Sequence, residues 1–256
     1  MRGKPVREGC AIPPPGEDEM NVPASGDAGV VKVERRAATP IAGAIAGILF
    51  AVLFGVSTML MNTTMSSLSD DTGAWLETGA SRFKFALGLL PFAGLFFLWF
   101  IAVARERLGR FEDQFFSTIF LGSGLLFLAM MFAAAASAGA LVAAYAHDPT
   151  GFAGSTAYFY ARQIVAQIFG IYALRMAAIF LISQATLWVR TGVMPRWMAL
   201  LTYAVALVLL FIYTQSQWVI LIFPAWVLMV SVYILAARLA GERPTAHDDA
   251  PRPQSR

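Results

Sequence analysis

Six apolar runs, at residues 41–61, 83–104, 115–145, 163–189, 197–213 and 218–237, contain no Asp or Glu and a single deep ionisable side chain, Arg175. This pattern restricts the fold more than any other feature of the chain. A helix rises about 1.5 Å per residue and a hydrocarbon core is about 30 Å thick, so roughly 20 residues span it. Five runs meet that length, with the fifth at the short limit. The third is longer, which predicts tilt or projection beyond the bilayer. A transmembrane barrel needs short alternating segments, and these runs are continuous. Helices buried in a soluble protein need a polar face, and the first, third and sixth runs have none. Composition agrees: 58% of residues are hydrophobic and 14% charged, against about 25% charged in a soluble domain. Mean hydropathy is +0.63. The reading is an all-α polytopic membrane bundle of six transmembrane helices, not a soluble enzyme or a disordered chain.

Lys and Arg set the expected orientation. Lys32, Arg35 and Arg36 precede the first run, and Arg105, Arg107 and Arg110 follow the second. Arg190 and Arg196 follow the fourth, and Arg238 and Arg243 follow the sixth. All four segments fall on one side. The other side receives Asp70, Asp71, Glu77, His147 and Asp148, with Arg82, Lys84 and Arg162. Both termini are therefore expected in the cytoplasm. Trp99, Trp188 and Trp197 mark the inner surface, Trp75 and Trp218 the outer, and Trp226 is a packing residue at mid-span.

Three parts follow: a disordered cytoplasmic tail at 1–40, a membrane domain at 41–238 and a second cytoplasmic tail at 239–256. The first tail holds Pro13-Pro14-Pro15 and balanced charge, so it cannot bury a core. It is too long and too acidic for the charged region of a signal peptide. Residues 214–217 force the last two helices into an antiparallel hairpin. Gly192 suits the position after a helix end, and Pro195 the start of the next helix. Asp148-Pro149 opens a turn, and Tyr158-Phe159-Tyr160 reads as an aromatic belt. No internal repeat is evident, which weakens the transporter folds built from two related halves.

Gly43 and Gly47 lie four apart on one face of the first helix, and small residues let helices approach closely. Residues 133–140 form a run of Ala with Ser137 and Gly139. These four positions are expected at helix contacts, within the bundle or between protomers, with intrachain packing favoured. Pro91 and Pro224 lie inside the second and sixth runs and free the carbonyls of Leu87 and Ile220.

Arg175 carries the functional expectation. It follows Gln163 by 12 residues, about 18 Å along a helix and so near the midplane. Insertion scales assign such an Arg about 2.5–3.5 kcal/mol of cost, and no carboxylate in any run can pair with it. Helical side chains lean toward the N-terminus, here outward, toward Gln163 and Gln167. Tyr172 lies three residues before it on a neighbouring face. These four residues are expected to line an outward-opening polar pocket that suits a carboxylate, phosphate or lipid headgroup. A structural Arg satisfied between helices is the competing reading. Gln184 points away from Arg175 by about 180° and serves another helix contact.

Other chemistry is missing from the sequence. A metal centre needs several His, Cys or carboxylate ligands, and the runs offer none. Cys10 is the single cysteine, so neither an intrachain disulfide nor dithiol exchange is available. GxSxG, GxxxxGK[ST] and GxGxxG are absent. Asp71-Thr72-Gly73 matches the short aspartic-protease tripeptide but lies in a connecting loop, and Asn62-Thr63-Thr64 abuts the first run, where glycosylation is hindered. Neither catalytic residues nor a cofactor are expected. The net charge of +3 gives no reason to expect nucleic acid.

Residues 172–209 read YALRMAAIFLISQATLWVRTGVMPRWMALLTYAVALVL. The stretch places an Arg within an apolar helix, then a Thr-Gly turn, then Pro-Arg-Trp opening the next helix. It resembles a stretch of uncharacterised multi-pass membrane proteins of actinobacteria. The resemblance implies a bacterial plasma-membrane protein, and it carries no known activity.

Three functions are compatible with the sequence. The first is a non-enzymatic membrane protein that binds or moves an anionic small molecule or lipid through Arg175. The second is a subunit of a larger membrane complex, with membrane lipid and a homo- or hetero-oligomeric partner. The third and weakest is a membrane enzyme using Asp70, Asp71, Glu77, His147 and Asp148 for acid–base work.

Overall fold

A computed structural model describes residues 27–64, 73, 75–108, 114–211 and 217–241, with side chains for 41–64, 73, 75–105, 115–211 and 218–239. The tail ends, Cys10, His247, Asp70, Asp71, residues 214–216 and the side chains of Lys32, Arg35, Arg36, Arg107, Arg110 and Arg243 lie outside the described residues. The chain separates into Met1–Arg36 and Ala37–Arg256, and the account below concerns the second.

The described elements are all helical. They are α1 (Asp27–Thr64), α2 (Trp75–Leu108), α3 (Gln114–His147), α4 (Pro149–Phe152), α5 (Thr156–Gln167), α6 (Leu174–Thr191), α7 (Arg196–Phe211) and α8 (Ile222–Gly241). A π-helical stretch, Ile168–Ala173, fuses α5 to α6, and a 3₁₀ stretch, Gln217–Leu221, leads into α8. Helix α1 begins within the segment read from the sequence as tail. Five spans are long and apolar enough to cross a membrane: Ile41–Thr64, Trp75–Arg105, Phe115–His147, Thr156–Thr191 and Trp218–Leu239. Arg196–Phe211 is a shorter apolar helix of 16 residues. An integral, multi-pass helical membrane protein follows from these lengths and compositions.

Local chemistry explains the breaks. Gly192 adopts φ 65° and caps α6, its N–H reaching the Trp188 carbonyl at 3.0 Å, a conformation that favours glycine. Pro195 then starts α7, its carbonyl accepting from the Met198 N–H at 3.0 Å. The Asp148 carboxylate accepts from the Gly151 N–H at 2.9 Å, so the turn expected at Asp148-Pro149 is a capped helical turn. Pro224 is the third residue of α8, which follows directly on the 3₁₀ stretch that leads into it. Pro91 does lie inside α2, and nearby the Ser57 hydroxyl donates to the Ala86 carbonyl at 2.7 Å, tying α1 to α2.

Aromatic rings converge at the centre. Phe97 of α2 is fully buried. Its ring centroid lies 4.7 Å from Phe50 of α1, 5.4 Å from Phe127 of α3, 5.5 Å from Phe180 of α6 and 5.7 Å from Phe223 of α8. Offset and edge-on aromatic pairs contribute beyond area alone. Because lipid is as apolar as Leu, such packing and the interhelical hydrogen bonds hold the helices together. The Trp226 Nε1–H donates to the Thr202 hydroxyl at 3.1 Å, joining α8 to α7.

Candidate functional site

Residues Thr156–Thr191 form a 36-residue span, longer than the roughly 20 residues that cross a bilayer. Its π-helical stretch changes which side chains share a face. Gln163 and Gln167 are one α-helical turn apart. A π turn takes five residues per hydrogen bond instead of four, so Tyr172, five after Gln167, continues the same line. In an unbroken α-helix it would have rotated away. Gln163, Gln167 and Tyr172 are exposed on the bundle perimeter, and Arg175 beside them is half-buried. No hydrogen bond or ion pair joins any of the four to another described residue. The structure thus brings the four residues to one side of one helix, and that side faces out of the bundle.

Another face of α5 holds Tyr158, expected from the sequence in an aromatic belt, and Arg162, expected among the outer-side charges. Arg162 is 2% exposed and Tyr158 is fully buried. The Tyr158 hydroxyl accepts from the Trp75 Nε1–H at 2.9 Å and from an Arg162 guanidinium N–H at 3.2 Å. Trp75 packs on Phe83 at 4.9 Å, and Phe152 stands edge-on to Tyr158 at 5.9 Å. Gly73, at φ 83°, lies close enough that an added Cβ would come 3.4 Å from the Tyr158 ring. Tyr158 is therefore a core residue, while Phe159 and Tyr160 are the exposed pair. The i, i+4 spacing of Tyr158 and Arg162 was the available signal. Arg162 falls just before the apolar run at 163–189, which hides it.

The remaining predicted positions separate. Gly43 faces Val103, and Gly47 faces Ser231 and Phe100, closely enough that a Cβ at either would collide. Gly139 faces open space, and the Ser137 hydroxyl donates back to the Ala133 carbonyl of its own helix at 2.9 Å. Glu77, His147 and Asp148 are exposed. Among the described residues no three His, Cys, Asp or Glu side chains gather into a group able to hold a metal.

No protein-family model, curated protein or solved structure matches this chain.

Proposed function

We propose that this chain is a non-enzymatic multi-pass protein of the bacterial plasma membrane, with both termini cytoplasmic, that binds an anionic lipid or small anion at Arg175. The observation that carries the reading is a half-buried Arg in an apolar helix with no ion pair among the described residues. An Arg in that setting favours a ligand or partner of opposite charge.

Depth favours a lipid headgroup. Arg175 precedes Arg190 by 15 residues, about 22 Å along a helix. With Arg190 at one surface of a hydrocarbon core about 30 Å thick, the Arg175 Cα stands about 8 Å below the other, shallower than the midplane that counting from Gln163 gives. Its side chain leans toward the helix N-terminus and snorkels most of that distance. Gln167 and Gln163 then lie at and beyond the headgroup layer, where their amides can bond to phosphate oxygens.

A second reading has one observation behind it. The four residues lie on the perimeter, where a helix from another chain can bring a carboxylate to Arg175 and make the protein a subunit of a complex.

Native mass spectrometry of protein extracted from its own membranes tests the pair, wild type beside Arg175→Gln. An anionic lipid or small anion retained by the wild type and lost from the variant supports the proposal. A protein partner lost instead supports the complex. Identical bare monomers refute both and make Arg175 structural.

A further inference from the structure

The perimeter face that carries Arg175 is ordered along its length. Ile179 and Ile182, one and two turns beyond Arg175, are half-buried and apolar. At 100° per residue both fall within about 40° of its direction. On the other side the π-helical stretch brings Gln167 and Gln163 onto the same line. Tyr160, three residues before Gln163, extends that line, and it is 70% exposed. Its side chain, like those of Gln163, Gln167 and Arg175, has no hydrogen bond to another described residue. Apolar residues, one cation, two amides and a phenol therefore follow one another from the middle of the span outward.

Depth and hydrogen-bonding capacity name the occupant. Gln163 precedes Arg175 by 12 residues, at most about 18 Å along the helix. With the Arg175 Cα about 8 Å inside the hydrocarbon boundary, Gln163 stands up to about 10 Å outside it. A headgroup layer is roughly 5–8 Å thick on each side, so a phosphate held at the Arg175 guanidinium ends short of Gln163. What meets Gln163 is carried beyond the phosphate. An amide and a phenol each donate and accept, and so does a hydroxyl; an ammonium only donates. Resting on the reading of Arg175 as an anion site, we infer that this face takes a glycerophospholipid whose phosphate bears a polyhydroxyl headgroup. Its acyl chain lies against Ile179 and Ile182 and its phosphate on Arg175 and Gln167. The headgroup hydroxyls exchange hydrogen bonds with Gln163 and Tyr160.

Native mass spectrometry of delipidated protein titrated with three lipids of equal charge and equal acyl chains tests the inference. The probes are phosphatidylinositol, phosphatidylglycerol and phosphatidylmethanol, the last a phosphodiester without hydroxyls. The wild type is expected to hold phosphatidylinositol about three- to tenfold more tightly than phosphatidylmethanol, the worth of one neutral hydrogen bond, with phosphatidylglycerol between them. Gln163 is exposed, so Gln163→Leu leaves the bundle packed, and it is expected to bring that ratio close to one. Arg175→Gln is expected to weaken all three lipids together. If Arg175→Gln does so while the wild type holds phosphatidylinositol and phosphatidylmethanol equally, the inference falls and the anion site stands. If Arg175→Gln weakens none of them, the anion site falls and takes the inference with it. An unchanged ratio in Gln163→Leu also overturns the inference.

Discussion

Truncating Phe97 probes the centre of the bundle, and the membrane setting changes the expected cost. In a soluble core, Phe→Ala costs about 3–5 kcal/mol, the sum of a transfer term and a cavity term. Here the unfolded reference remains in lipid or detergent, where the ring loses little by leaving the core. The cavity term survives. The side chain removed occupies about 100 Å³, and at about 24 cal/mol per Å³ an unrelaxed void costs about 2.4 kcal/mol. Rings from α1, α3, α6 and α8 all face Phe97, so no single helix can move in to fill the space. The control is Phe92→Ala on the same helix, where the ring is 60% exposed and the expected change is under about 0.5 kcal/mol. Reversible unfolding in mixed dodecylmaltoside and SDS micelles, followed by circular dichroism, measures both. Equal destabilisation by the two variants would refute the convergence of five helices on Phe97.

Three further outcomes follow from named contacts. Gly47→Ala brings a Cβ against Ser231 and Phe100 and is expected to cost about 1–3 kcal/mol in the same assay, while Gly139→Ala, facing open space, is expected to be neutral or slightly stabilising. Tyr158→Phe removes the acceptor of the Trp75 and Arg162 donors and is expected to cost about 1–3 kcal/mol; the tryptophan fluorescence of Trp75 should report the change. Trp226→Phe removes the bond to Thr202 and is expected to cost about 0.6 kcal/mol, the average for interhelical side-chain bonds in lipid.

Legibility of the fold varied with the range of the interaction that decides it. Run lengths announced the long helices because spanning is a property of consecutive residues. The Gly192 cap and Pro195 restart were equally readable, since a left-handed residue and a missing N–H act locally. Arg162 was not. A charge at the edge of an apolar run looks solvated, and its burial against other elements is a tertiary fact that the run does not show. The π-helical stretch at Ile168–Ala173 was also hidden, because no residue type encodes a five-residue step. Without it, α-helical spacing from Gln167 rotates Tyr172 off the line. The sequence places Gln184 facing away from Arg175, but its unbonded Oε1 depends on the surrounding elements failing to supply a donor.

The central claim is that Arg175 holds an anion at the bundle surface. The most direct measurement is the affinity of delipidated protein for phosphatidylglycerol, and separately for inorganic phosphate, in wild type, Arg175→Lys and Arg175→Gln. A charge-assisted hydrogen bond is worth about 1.5–3 kcal/mol. Arg175→Gln is therefore expected to bind the lipid roughly ten- to hundredfold more weakly, with Arg175→Lys in between. A response to phosphate alone would name the free anion as ligand. Equal affinities for both ligands across the three proteins would contradict the claim and leave Arg175 a structural residue.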